Sequence, residues 1–382
     1  MEESILIYIF IVILFIKIYH TILDKSIYNS KISLQVLMRN FGVKARLAQE
    51  FTGFSGNQKT FSALSDELAI TKHGQYHRIY TSKDILYIRE KLMGLDHDRK
   101  RPKKIPPILN FRMTKGGTGK TTIAGNVAST LSMLGYKVLM IDGDPQSSLT
   151  SLFGINWAHE DIIHIGELMH RYFNGKKTSI KQAVHPLYPG GMLDLIAADI
   201  TLVNADSWLM GATNREATFK RLLNAEIEFF SNYDAIIIDS APGTTLLTNT
   251  FMFACETIIA VVWLDGQSIE AMKVLASNIE ELNRAFAAQN FHLGVHIIAN
   301  GYHTSYQSCK EALQTLGTAY PNQLNDHVMP HSASFMRQIN LFEEEKSGPV
   351  LEREPSSIGA RAVIDLTKSL VKKYAIRING SS

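Results

Sequence analysis

Cysteine is nearly absent from this chain: Cys255 and Cys309 are the only two in 382 residues, they stand 54 positions apart, and no C-x-x-C occurs. Zinc and iron–sulfur centres built on paired thiols are thereby excluded, and free thiols in a chain of this size suit a reducing cytoplasm. The 13 histidines show neither metal-ligand spacing nor a triad partner. No internal repeat is visible. Long apolar runs are confined to the N-terminus, where Ile5 to Ile16 carries no charge and is rich in isoleucine. The run lacks the basic leader and small-residue cleavage site of a signal peptide. It approaches the roughly 20 apolar residues of a spanning helix only when extended through Lys17 and His20 to Leu23. Residues 1–25 therefore have three readings: a membrane anchor with Lys17 and Lys25 on the cytoplasmic side, a buried or dimer-forming helix, or an upstream extension of the reading frame that is not normally translated.

Acidic residues are scarce ahead of residue 108. Residues 26–107 hold 15 Lys/Arg against 7 Asp/Glu, a net of +8, whereas residues 108–382 hold 22 against 26, a net of −4. The overall +3 hides this asymmetry. A concentration of positive charge on one part of a chain suits a nucleic-acid surface there. The length accommodates a large core and a second, smaller domain.

The most informative stretch is Lys115-Gly116-Gly117-Thr118-Gly119-Lys120-Thr121-Thr122. It follows a short apolar run, Ile108 to Phe111, and opens a helical pattern from Ile123 to Leu134, the strand–loop–helix context of a phosphate-binding loop. Glycines let backbone N–H groups turn inward around an anion, and the helix N-terminus adds a positive dipole end. In this pattern Lys120 reaches the β- and γ-phosphates of ATP, or the β-phosphate of ADP, and the Thr121 hydroxyl holds Mg²⁺. Two further segments end buried strands in acids: Lys137-Val-Leu-Met-Ile-Asp142-Gly143-Asp144-Pro145-Gln146 and Asp234-Ala-Ile-Ile-Ile-Asp239-Ser-Ala-Pro242-Gly243. The second reads as a Walker-B strand, with Asp239 touching Mg²⁺ through water and Pro242-Gly243 starting a turn that senses the γ-phosphate.

The early lysine, Lys115, makes the loop K-G-G-x-G-K-[ST], which resembles the deviant phosphate loop of the ParA/MinD group of ATPases. The resemblance implies that Lys115 reaches across a homodimer to the partner's nucleotide, that Asp144 positions the attacking water, and that Asp142 supports the Mg²⁺ site. It further implies that Asn300, ending the strand Ile297-Ile-Ala-Asn300, and Pro330, in Met329-Pro330-His331-Ser332, lie near the adenine, and that Arg337 stands where relatives contact DNA. Gly143 departs from the group, which usually has a larger apolar residue there, and Ser147 replaces a common glycine.

Ahead of the loop, residues 26–93 read as a small, mostly helical unit, with helices expected over Leu34–Leu47 and Phe61–Ile70. Thr81 and Asp84 form a capping box for a helix whose Ile85, Ile88 and Leu92 make a buried stripe. Arg78, Lys83, Arg89 and Lys91 are left for its exposed side. The run Arg78-Ile-Tyr80-Thr81-Ser-Lys83-Asp84-Ile85 resembles the winged helix-turn-helix region of the larger plasmid-type ParA proteins. The helix-turn-helix itself is expected within Ser62–Gly74, and Arg78 and Lys83 are expected to meet DNA. Residues 94–107 form a Pro-rich linker whose Arg99, Lys100, Arg101, Lys103 and Lys104 suit a DNA backbone.

From residue 108 onward, strands expected at 108–112, 137–142, 193–197, 235–239, 257–263 and 294–300 alternate with helices. That predicts an α/β fold, a doubly wound and mostly parallel sheet of the deviant-Walker type, over 108–382. The resemblance implies a DNA segregation ATPase. Its ATP-bound dimer binds DNA non-specifically, a ParB-type centromere-binding partner stimulates hydrolysis, and the protein has a possible second role repressing its own operon. The alternatives are a MinD-type positioning ATPase at a membrane and a nucleotide-sensing repressor.

Overall fold

The computed structural model describes residues 39, 41–71, 78–158, 160–176, 179–339 and 347–378; residues 1–25 and part of Ser62–Gly74 lie outside them. The nine strands described are β1 (Gly42–Lys44), β2 (Ile79–Thr81), β3 (Ile108–Arg112), β4 (Val138–Gly143), β5 (Val184–Tyr188), β6 (Leu193–Ile196), β7 (Ala235–Ser240), β8 (Thr257–Trp263) and β9 (Gly294–Asn300). Seven of them make one sheet in the order β5-β6-β4-β7-β3-β8-β9. All neighbours run parallel except the edge strand β5, which is antiparallel to β6. β3, carrying the phosphate loop, and β7, carrying Asp239, lie side by side in the middle. The carboxyl ends of the central strands therefore converge where an α/β sheet binds its ligand.

Helices cover both faces. The Lys120–Met133 helix, buried along most of its length, packs against the sheet and against the C-terminal Ile358–Lys373 helix. On the other face the helices Ile165–Phe173, Thr218–Ala225 and Leu246–Phe253 close a second core with Ile141, Ile236 and Ile238. Each such isoleucine, wholly buried, contributes about 1.5–3 kcal/mol. The helices Gly266–Ala285 and Gln307–Ala319 cover β8 and β9. Among the described residues no helix is long and apolar enough to cross a membrane.

The small N-terminal unit departs from expectation at its helices. Gly42–Lys44, expected as helix, is a strand paired antiparallel with β2. The helices lie at Ala45–Thr52 and Gln58–Glu67, joined by a turn that opens on Gly53 in the left-handed region (φ 70°). Two helices joined by a short turn thus lie at 45–67, while residues 72–74 of the segment expected to hold a helix-turn-helix, Ser62–Gly74, lie outside the described residues. Thr81 and Asp84 do cap the Ser82–Met93 helix reciprocally, and Ile85 and Ile88 are buried as expected, whereas Leu92, near the helix end, is 45% exposed and Leu86 is buried instead. This unit shares its core with the Lys120–Met133 and Ile358–Lys373 helices.

A buried histidine gives the C-terminal packing a pH dependence. His296 on β9 lies 3.1 Å by Nδ1 from the Tyr374 hydroxyl and 3.1 Å by Nε2 from the Asn325 amide nitrogen. Burial, aided by the Lys373 cation, pushes its imidazole down to about 4. A folded value below the unfolded one of about 6.5 means stabilisation complete above that pH and lost as the pH falls towards 4, about 2 kcal/mol of it by pH 5. Asp142, raised by burial to about 6, acts in the opposite sense over an overlapping window, so the test is a difference. The stability gap between the wild type and His296→Gln should narrow between pH 7 and pH 5. A gap constant with pH contradicts the assignment.

Candidate nucleotide site

The loop after β3 leads directly into the Lys120–Met133 helix, whose N-terminus has no side-chain cap, so its first N–H groups remain available to an anion. Gly119 at the N-cap has φ 90°. A Cβ there would run into the Asn300 amide, so both backbone conformation and close approach require glycine. Asn300, 5% exposed, donates from Nδ2 to the Thr118 carbonyl at 2.9 Å and accepts from Gly301 N–H at 2.9 Å. Expected beside the adenine, its side chain is engaged in bracing the phosphate loop. Lys120 is buried, with Nζ 3.3 Å from the Lys115 carbonyl. Burial lowers its pKa, against the attraction of Asp239 and Asp144.

The three acids occupy different environments. Asp142 and Asp239 are register partners on adjacent strands. Asp142 is fully satisfied: Oδ2 accepts from Thr150 N–H (2.9 Å) and Oγ1 (2.7 Å), and Oδ1 accepts from Asp144 N–H (3.1 Å). It therefore holds the segment after β4 in place, and Thr150 in turn accepts from Ala198 N–H at 3.0 Å. Asp239 is 1% exposed, and among the described residues neither of its oxygens has a hydrogen-bond partner. Burial and then the Asp142 carboxylate raise its pKa well above the usual range, opposed by the Thr121 hydroxyl and the Lys120 ammonium. A buried carboxylate with two unused oxygens beside a threonine hydroxyl and a lysine fits a hard divalent cation completed by phosphate oxygens and water. Asp144 accepts from Gln146 N–H at 2.9 Å.

Lys115 lies within its own subunit, 3.1 Å from Asp265 Oδ2 and 3.3 Å from the Ser268 hydroxyl. Asp265 also caps the Gly266–Ala285 helix through Ser268 N–H. That N–H and the Lys115 ammonium outweigh desolvation and hold its carboxyl below the ordinary value.

The two departures from the family pattern have structural counterparts. A Cβ on Gly143 would meet the Phe251 ring at 2.7 Å and the Asp239 carbonyl at 2.9 Å. Phe251 thus fills the space that a side chain at position 143 would need. Gly143→Ala is expected to destabilise by about 1–3 kcal/mol through overpacking. Adding Phe251→Leu should recover part of that loss, read as coupling in a thermal double-mutant cycle; strict additivity contradicts it. Ser147 adopts φ 55°, the conformation that glycine holds without strain.

The cations expected to meet DNA are mostly engaged. Arg78, its side chain 7% exposed, binds Asp66, Ser62 and the Ile70 carbonyl, so it secures the Gln58–Glu67 helix instead of facing solvent. Arg89 binds the Leu134 carbonyl and Tyr136, and Lys91 pairs with Glu67 at 2.9 Å. Lys83 is exposed, with its Nζ 5.3 Å from the Tyr87 ring centre. Arg337 makes a forked ion pair with Glu354 at 2.8 and 2.9 Å. In the linker, Arg99, Arg101 and Lys103 pair with Glu90, Asp234 and Glu228; it is docked on the protein by these acids. Pro330 lies in a bridge with Tyr302, just beyond β9.

Residues 107–293 match a family model described as an AAA domain. The cell division protein PomZ of Myxococcus xanthus is 30% identical over 75% of this chain and 84% of its own length. The chromosome partitioning protein ParA of Caulobacter vibrioides is 25% identical over 70% of this chain and 94% of its own. Among solved structures, an ATP complex of McdA from Cyanothece superposes with a TM-score of 0.58 at 20% identity, covering 72% of this chain and 98% of that one. With a phosphate loop carrying both lysines at the centre of a seven-stranded, mostly parallel sheet, the chain belongs to the ParA family of deviant-Walker ATPases.

Proposed function

We propose that this ATPase segregates DNA through a nucleotide-controlled dimer. The observation that carries the proposal is Lys115: a second phosphate-loop lysine, partly exposed and held by a partly exposed acid and the Ser268 hydroxyl of its own subunit. Leaving Asp265, it reaches the phosphates of a partner's ATP. The γ-phosphate supplies the contact that distinguishes the two states, since only a differential interaction shifts an equilibrium. Thr121 and Asp239 hold Mg²⁺, which when bound neutralises charge on the phosphates. Lys120 binds the β- and γ-phosphates, and Asp144 orients water for in-line attack, so catalysis is positioning and electrostatics. Asp142 acts indirectly, by fixing the Asp144 backbone.

On this reading DNA meets the helix–turn–helix at 45–67. Arg46 and Lys59 are exposed there and Lys44 just before it, and Gln58, Lys59 and Thr60 stand at the start of the second helix, the end that enters a major groove. A ParB-type partner stimulates hydrolysis and thereby releases DNA. The test is the oligomeric state in ATP, by light scattering. The wild type should dimerise and Lys115→Ala should stay monomeric while still binding nucleotide. A Lys115→Ala variant that dimerises like the wild type removes the basis of the proposal.

A further inference from the structure

β3 has parallel neighbours on both edges and helices on both faces, a place that calls for an unbroken apolar run. Asn110 and Arg112 break it, and both are 0% exposed. Strand alternation puts 110 and 112 on one side, in line with Thr114 just beyond. All three grip the exit of β7. The Ser240 hydroxyl donates to Asn110 Oδ1 at 2.6 Å, Arg112 Nη2 donates to the Gly243 carbonyl at 2.8 Å, and Gly243 N–H donates to the Thr114 carbonyl at 2.9 Å. Gly243, at φ 80°, is thus held at both its N–H and its carbonyl.

Arg112 forms no ion pair among the described residues, and its Nε and Nη1 have no hydrogen-bond partner. Burial draws its pKa down to about 10, which leaves it charged at neutral pH. A buried, unpaired guanidinium costs several kcal/mol, and an apolar residue of similar volume would be the more stable choice. Such a violation at the base of a phosphate loop marks a functional constraint.

We propose that Arg112 is a positioning residue for ATP hydrolysis. By fixing the Gly243 carbonyl from beneath the loop, it sets where the turn after β7 presents its N–H groups to the γ-phosphate. Arg112 itself touches neither nucleotide nor the attacking water.

The experiment separates binding from turnover in the full chain. Affinity is read with a fluorescent ATP analogue, and kcat from single-turnover hydrolysis of labelled ATP. Arg112→Met should keep nucleotide affinity within about threefold and lose about 10- to 100-fold in kcat. Unchanged kcat overturns the proposal, as does a loss of affinity that accounts for the lost turnover. If Arg112→Met does not fold, Arg112→Lys, which keeps charge and stem but not the reach of the fork, is judged by the same two criteria. Failure of the ATPase assignment itself would appear instead as absent hydrolysis in the wild type.

Discussion

Lys120→Ala is expected to abolish nucleotide-dependent behaviour altogether. Its ammonium is buried at the start of the phosphate-loop helix, attracted by both Asp239 and Asp144 and opposed by Arg112. Without it the site keeps its acids and loses the cation that offsets them and meets the β- and γ-phosphates. Turnover should fall by about 10³-fold or more, roughly 4 kcal/mol of transition-state stabilisation. Mg²⁺–ATP should also no longer raise the melting temperature, because stabilisation by a ligand follows its occupancy of the folded state. A variant that hydrolyses ATP normally, or is stabilised by ATP like the wild type, contradicts the placement of the site.

Asp144→Ala is expected to separate binding from chemistry. The carboxylate lies one residue beyond the end of β4 and spends one oxygen on the Gln146 N–H. The turn is also held by Asp142, through the Asp144 N–H and Thr150, so the backbone keeps its place when the side chain is removed. The variant should bind ATP and dimerise with it, yet hydrolyse it about 100-fold more slowly or worse, the scale expected for losing a water-orienting group. Turnover at the wild-type rate contradicts the role given to Asp144. Loss of ATP binding instead would make Asp144 a residue that builds the site.

The parallel sheet was legible in the sequence because glycines and acids mark strand ends, and because strands buried on both faces read as runs such as Ala235-Ile-Ile-Ile. β5 was missed: it is an antiparallel edge strand with Pro186 inside it and a mixed burial pattern. The N-terminal helices were misplaced because a three-residue strand, Gly42–Lys44, is too short to show a period and its neighbours continue an apolar helical spacing. The resting partner of Lys115 lies 150 positions away, and Glu50, which binds Arg361 and Lys368, is more than 300 positions from both. Pairings at such separations follow from topology and leave no local pattern in the sequence. Arg112 did leave a mark in the sequence, a charged residue in a strand that should be wholly apolar.

The central claim, that nucleotide state controls a DNA-binding ATPase, is tested most directly by the anisotropy of a fluorescent non-specific duplex titrated with the full chain in Mg²⁺ and either ATP or ADP. Tight binding with ATP, lost with ADP and weakened by salt as phosphate contacts require, is the predicted result. Binding indifferent to nucleotide, or none in either, contradicts it.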